Sequence, residues 1–335
     1  QRYLSATRAA GCRFDKIGKC QTLEDTSALP DLLAALQREG FEPHVDAALA
    51  AAAAVSEAKP DAGVLRRIEE AAARGFSLYP FQREGAPWLA RHRGAVLADE
   101  MRLGKTCQAL IAIPDGAAAM VVAPACVKGV WESETRKVRP DLRTDVLYCR
   151  TSFRWPKPGE LVITNWDILP ALVKDGNFWR LPDSLGLSVP NGMILIADEC
   201  HASKGSKTAR TRRIAAIARA VRRAGGSTWG LSGTPLLNYP PELWTIFRVF
   251  GVEKTAFPGG WPEFVRLFRG NRGAWGGFEW GEPDPCVPDR LKSVMLRRER
   301  KTVMPELPER TWSTIKVEIN PRTRQICDDV VRHLA

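Results

Sequence analysis

The run Met193-Ile194-Leu195-Ile196-Ala197-Asp198 constrains the fold most tightly. It is apolar throughout and ends in acid, so as a strand it has no face to offer to water and must be covered on both sides. Further strand-like runs occur at Ala95-Val96-Leu97-Ala98, Ala119 to Pro124, Asp145-Val146-Leu147-Tyr148, Leu161-Val162-Ile163-Thr164 and Thr228 to Gly233. Helical stretches lie between them, among them Lys105 to Ile113. From Leu78 onward this alternation predicts an α/β fold, a parallel sheet with helices on both faces. Sheets of this kind bind ligands beyond the carboxyl ends of their strands.

The rest of the 335-residue chain divides around that core. Residues 1–42 read as a small α+β module. Short strands flank Gly18 between Arg13 and Leu23, and a helix from Asp31 to Glu39 stops at Gly40. Residues 43–77 form an Ala-rich helical connector, with a short helix from Val64 to Ala73. The sheet domain occupies 78–238. Residues 239–300 lose its rhythm and read as a Trp-, Phe-, Gly- and Pro-rich helical insertion, with helices near Glu242–Val249 and Pro262–Phe268. Trp244, Trp261, Trp275 and Trp280 of that insertion suit core packing better than base stacking. Residues 301–335 return to strand at Thr311 to Ile319 and begin a helix at Pro321.

A net charge of +11 favours a polyanionic partner, and the basic clusters Arg210-Thr211-Arg212-Arg213, Arg222-Arg223 and Arg297 to Lys301 are mostly arginine, whose fork suits phosphate. The eight cysteines are scattered without a C-x-x-C pair, which argues against zinc or redox chemistry and for reduced thiols in a cytoplasmic setting. No apolar run approaches the ~18–20 residues of a membrane span.

Two polar segments fall at strand ends. Asp99 to Thr106 joins a strand to a helix, where backbone N–H groups can cradle an anion. There Lys105 would reach the β- and γ-phosphates and the Thr106 hydroxyl would ligate Mg²⁺. The strict G-x-x-x-x-G-K-[ST] pattern fails, because Asp99 holds the first glycine position. On Gly104-Lys105-Thr106 alone an ordinary strand–helix turn is an equal reading. The second segment, Asp198-Glu199-Cys200-His201, follows the most apolar strand. Asp198 is expected to hold Mg²⁺ through coordinated water and Glu199 to activate the attacking water. The plainer alternative is an acidic pair capping the next helix.

Taken together, Asp99-Glu100-Met101-Arg102-Leu103-Gly104-Lys105-Thr106 and Asp198-Glu199-Cys200-His201 resemble motifs I and II of superfamily 2 helicases. Within these they resemble the SNF2 group, including its annealing-helicase-like bacterial and phage members. Leu78-Tyr79-Pro80-Phe81-Gln82-Arg83-Glu84-Gly85 resembles the adenine-recognition segment, implying that Gln82 contacts the base. Val121-Val122-Ala123-Pro124 resembles motif Ia, Ile163-Thr164-Asn165-Trp166 a DNA-contacting strand end, and Leu231 to Asn238 motif III. Met295-Leu296-Arg297-Arg298 and Pro305 to Pro308 resemble the segment leading out of the first lobe. The strand pair around Phe14 resembles an accessory module found ahead of some such proteins.

The resemblance implies a RecA-like first lobe that takes ATP and Mg²⁺ and acts on DNA, double-stranded or forked, with a second RecA-like lobe following residue 335. It implies nucleotide contacts from Gln82, Glu100, Met101, Arg102, Leu103, Gly104, Lys105 and Thr106, and DNA contacts from Pro124, Lys128, Thr164, Asn165, Ser232, Gly233 and Thr234. His201 would link the Mg²⁺ site to motif III. The implied activity is that of an ATP-dependent duplex-DNA translocase, monomeric and cytoplasmic. A strand-separating helicase, a restriction or repair motor, or a non-hydrolysing nucleic-acid-binding module are the alternatives. Where the family usually has glycine this chain has Arg102. If that position requires positive φ, arginine carries a strain cost there.

Overall fold

A computed structural model describes residues 13–15, 20–22, 62–176, 178–186, 188–234, 239–273, 277–306 and 320–334. The strands β1 (Arg13–Asp15) and β2 (Cys20–Thr22) pair antiparallel, with Phe14 opposite Gln21. The helix expected at Asp31 to Glu39, most of the connector and the strand expected at Thr311 to Ile319 lie outside the described residues. The chain divides into two compact units, Gln1–Glu299 and Arg300–Ala335.

The first unit is built on a seven-stranded sheet. Its elements follow in order: α1 (Ala62–Ala73), α2 (Pro80–Arg91), β3 (Gly94–Leu97), α3 (Lys105–Ala112), β4 (Ala119–Ala123), α4 (Lys128–Val138), β5 (Arg143–Val146) and β6 (Glu160–Asn165). After a small hairpin of β7 (Val173–Asp175) and β8 (Phe178–Arg180) come α5 (Asp183–Gly186), β9 (Ile194–Asp198), α6 (Ala209–Arg223) and β10 (Ser227–Leu231). The chain then runs through α7 (Pro240–Phe250), α8 (Glu253–Ala256), α9 (Gly260–Leu267), the short pair β11 (Asn271–Arg272) and β12 (Phe278–Glu279), α10 (Val287–Lys292) and β13 (Met295–Leu296). The sheet order is β13-β3-β10-β9-β4-β6-β5, and every pairing in it is parallel.

Strand alternation sorts the side chains onto two faces. Ala95, Leu97, Val121, Ile163, Ile196 and Trp229 point to one, where they meet buried residues of α1 to α4 such as Ile68, Leu89, Leu110 and Trp131. Val96, Met120, Val122, Val162, Leu195 and Ala197 point to the other, against Ile214 and Ile217 of α6 and Phe247 and Phe250 of α7. The parallel sheet covered on both faces is thus the fold that the apolar runs predict.

Two expectations need correction. The strand expected at Asp145 to Tyr148 lies at Arg143–Val146, and Tyr148 is 77% exposed. As the edge strand, β5 pairs only with β6 and is incompletely buried, so its apolar pattern is weak. Within the expected insertion 239–300, β13 is a strand of the main sheet, adding Met295 opposite Val96 and Leu296 opposite Leu97. The preceding helices carry an aromatic cluster in which Trp244, Trp261 and Trp280 surround Phe264 at ring separations of 5.2, 5.4 and 6.0 Å. Trp275 lies outside the described residues. In the second unit, α11 (Arg300–Val303) and α12 (Pro321–Leu334) are described, the latter beginning at the proline expected to start a helix.

Candidate active site

Sheet register brings the polar segments together. Leu97, Leu231 and Asp198 lie side by side at the carboxyl ends of β3, β10 and β9. The next residues of those strands, Ala98, Ser232 and Glu199, therefore open into one region. The loop beginning at Asp99 enters from one side and the carboxylates from the other.

The loop turns through two left-handed residues, Arg102 at φ +69° and Gly104 at φ +67°. Glycine suits the second, because a Cβ there would lie 2.3 Å from Gln82 Nε2. The Arg102 side chain is exposed, as is Met101. Helix α3 starts at Lys105 with no side-chain cap, so its first N–H groups face the loop's concavity. Lys105 Nζ donates to the carbonyls of Asp99 at 2.8 Å and Glu100 at 3.2 Å. Burial lowers the Lys105 pKa, opposed by the charges of Glu199, Asp99 and Asp198. Thr106 is half-buried beside it. Gln82 accepts from the N–H of Tyr79 at 3.0 Å and donates to the Leu103 carbonyl at 3.3 Å, tying α2 to the loop.

Across the region, Asp198 Oδ2 accepts from Trp131 Nε1 at 2.8 Å, and its Oδ1 accepts from the Glu199 N–H at 3.0 Å. Trp166 Nε1 donates to the Asp198 carbonyl at 3.2 Å. Burial raises the Asp198 pKa; burial and then the Asp198 charge raise that of Glu199. Glu199 adopts φ +50°, a strained conformation for a side chain of its size. Its Oε2 lies 3.1 Å from His201 Nδ1 and is buried without a hydrogen bond. That same His201 nitrogen is hydrogen-bonded to Ser232 Oγ at 3.1 Å, and Ser232 Oγ accepts from the Thr234 N–H at 3.1 Å. Gly233 lies against the loop, where a Cβ would meet Met101 Cγ at 2.7 Å.

A divalent cation fits this donor set. Each Asp198 oxygen accepts one hydrogen bond and keeps a further lone pair, and Glu199 Oε2 has unspent acceptor capacity. Thr106, the residue expected to add a hydroxyl, is the second residue of α3.

The residues expected to touch DNA are less uniform. Thr164 and Asn165 are buried, Thr164 completely, with its hydroxyl unpaired. Lys128 is also buried, donating to the Leu147 carbonyl at 2.7 Å with Nζ 4.6 Å from the Tyr148 ring centre. Pro124 is half-buried. Ser232 and Gly233 face the carboxylates and the loop. Arg150, Arg210 and Arg213 line an open cleft over Trp166 and Asp167.

Sequence reasoning missed Trp131, Gln108 and the reach of Trp166 and Arg298. Trp131 carries no motif signal, since only the tertiary fold brings it to Asp198. Arg298 stood inside the quoted segment Met295 to Arg298, but its target did not. Arg298 Nε and Nη2 donate to Asp99 Oδ1 and Oδ2 at 2.9 and 2.5 Å, and Nη2 also donates to Gln108 Oε1 at 2.7 Å.

The chain is 31% identical over 242 residues to a bovine (Bos taurus) SWI/SNF-related matrix-associated actin-dependent regulator of chromatin subfamily A-like protein 1, covering 69% of this chain and 24% of that protein. It is 27% identical over 260 residues to the human (Homo sapiens) DNA annealing helicase and endonuclease ZRANB3, covering 72% of this chain and 22% of that protein. The chain thus spans about a quarter of the length of these relatives. The fold resembles the Sulfolobus solfataricus SWI2/SNF2 ATPase core solved with dsDNA, at a TM-score of 0.50 and 23% identity over 77% of this chain and 52% of that one. The family model described as the SNF2-related domain matches residues 81–333, and the chain belongs to that family.

Proposed function

We propose that this chain is the ATP-binding lobe of a motor that translocates on double-stranded DNA. The observation that carries the reading is the meeting of three neighbouring strand ends at Leu97, Leu231 and Asp198, with Lys105 at the start of α3 within reach of the Asp198 and Glu199 charges and His201 between Glu199 and Ser232. Residues 78–238 would form most of the lobe, and a second RecA-like lobe would complete the site.

ATP would lie with its phosphates over the N-terminus of α3. The free N–H groups of that helix and Lys105 bind the β- and γ-oxygens. To do so Lys105 exchanges its bonds to the Asp99 and Glu100 carbonyls for phosphate. Gln82, anchored to Tyr79 and Leu103, would read the base edge. Thr106 and, through water, Asp198 would hold Mg²⁺, which would supply charge neutralisation at the phosphate oxygens. Glu199, with its raised pKa, orients the attacking water and accepts its proton. His201, 3.1 Å from both Glu199 Oε2 and Ser232 Oγ, would link the state of the phosphate to the residues after β10. Arg150, Arg210 and Arg213 supply forks for backbone phosphates at the same edge of the sheet.

The test is turnover by the full-length protein with double-stranded, single-stranded and forked DNA, together with displacement of a third strand from a triplex. Duplex-stimulated hydrolysis with triplex displacement and no unwinding of a fork supports the reading. Unwinding of forked DNA would replace it with a strand-separating helicase, and nucleotide binding without turnover with a non-hydrolysing module.

A further inference from the structure

The phosphate loop has an anchor that its own sequence does not reveal. At Asp99, where the strict motif has glycine, the chain carries a completely buried carboxylate. Arg298 grips both of its oxygens, at 2.9 and 2.5 Å. Gln108 Nε2 donates to Asp99 Oδ2 at 3.1 Å and to the Leu103 carbonyl at 3.2 Å, while Gln108 Oε1 accepts from Arg298 at 2.7 Å. Arg298 also donates through Nη1 to the Phe81 carbonyl, with its guanidinium carbon 5.4 Å from the Phe81 ring centre. The planar fork therefore joins the first residue of the loop, the first helix after it and the segment that leads into Gln82.

The backbone reinforces the side chain. Val96 N donates to the Val294 carbonyl, Ala98 N to that of Leu296 and Glu100 N to that of Arg298, at 2.7–2.9 Å. The ladder between β3 and β13 thus continues past the sheet into the loop. Arg297 Nη1 also approaches the carbonyls of Ala98 and Gly233, each at 3.4 Å. A buried carboxylate is tolerated only while its partner stays in place. The loop's shape accordingly depends on β13 remaining docked on β3. Gly85 of α2 leaves the room this needs, because a Cβ there would lie 1.9 Å from Gln108 Oε1 and 2.6 Å from Arg298 Nη2.

We propose that Arg298 is a positioning residue for the nucleotide site, holding the phosphate loop in its binding shape through Asp99 and Gln108. This rests on the reading of the loop as an ATP site. Arg298 touches no reacting atom, so its loss should weaken nucleotide binding much more than chemistry.

The experiment compares full-length wild type with Arg298→Lys, Gly85→Ala, Asp99→Asn and the double variant Arg298→Lys/Asp99→Asn. It measures binding of fluorescent ATP, ATP KM, kcat at saturating ATP, and circular dichroism. Lysine keeps the charge that Asp99 requires but cannot span four acceptors. Arg298→Lys and Gly85→Ala should each weaken ATP binding and raise KM on the order of tenfold, with kcat within about threefold of wild type. The double variant should be no worse than the worse single, because both remove one network. An Arg298→Lys variant with wild-type KM, one that loses KM and kcat together with its folded signal, or additive losses in the double variant would each overturn the proposal. Wild type that binds no ATP would instead overturn the nucleotide-site reading.

Discussion

Trp131 Nε1 donates to Asp198 Oδ2 at 2.8 Å, so the carboxylate assigned to the metal is oriented by an indole on α4. Trp131 is itself buried between α4 and the sheet. Trp131→Phe keeps most of that packing and removes only the donor. The buried Asp198 oxygen then loses a partner, which costs about 1–3 kcal/mol. The expected outcome is a lower thermal midpoint and a reduced affinity for Mg²⁺ in nucleotide binding, read by calorimetry with and without the metal. An unchanged Mg²⁺ dependence would show that the indole does not orient Asp198.

The acidic pair also sets a pH dependence. Both carboxyl pKa values are raised, Asp198 by burial and Glu199 by burial and then by the Asp198 charge. The folded state therefore holds protons at pH values where the unfolded chain has released them. Stability should fall as pH rises from the ordinary carboxylate range through the raised folded values. Glu199→Gln removes the repulsion, and should flatten this decline and raise the nucleotide-free midpoint at neutral pH by about 1–3 °C. Thermal melts across that range check it, and a lower midpoint for the variant would contradict it.

Arg102 stands at φ +69° with its side chain exposed. An L-residue there carries a strain that glycine avoids, roughly 1–2 kcal/mol. Arg102→Gly should raise stability by an amount of that order, offset in part by the entropy of glycine in the unfolded chain. Denaturant titration measures it. A destabilised variant would mean that the Arg102 side chain makes contacts worth more than the strain.

The cleft of Arg150, Arg210 and Arg213 should bear on DNA through phosphates alone. Replacing Arg150 and Arg213 with alanine should weaken DNA binding about equally for unrelated sequences. The slope of log K against log salt should fall by roughly 2, about one unit per lost phosphate contact. Binding at several salt concentrations tests this, and an unaltered slope would place the DNA elsewhere.

Much of this was legible in the residues. Apolar runs such as Met193 to Ala197 have one physical solution, and the structure adopts it with helices on both faces. Gly104-Lys105-Thr106 opens the helix after β3 and Asp198-Glu199 ends β9, and the register sets the carboxyl ends of these strands side by side through β10. Edge strand β5 was misplaced by two residues because one of its sides has no partner to demand burial. The resemblance implies Lys128 and Thr164 as DNA contacts, and neighbouring segments close over both side chains, which no local motif encodes. Arg298 and Trp131 were invisible for the opposite reason. Their partners Asp99 and Asp198 are remote in sequence, and no local pattern encodes a contact that only the assembled sheet creates.

In the proposed motor, Lys105 and Glu199 serve one ATP site that drives work on DNA. Its most direct test is ATP hydrolysis by the full-length protein with and without duplex DNA, for wild type, Lys105→Ala and Glu199→Gln. DNA-stimulated turnover is expected in wild type and should fall by at least about a hundredfold in both variants, with Glu199→Gln still binding ATP and Lys105→Ala binding it poorly. Turnover in either variant equal to that of wild type would contradict it.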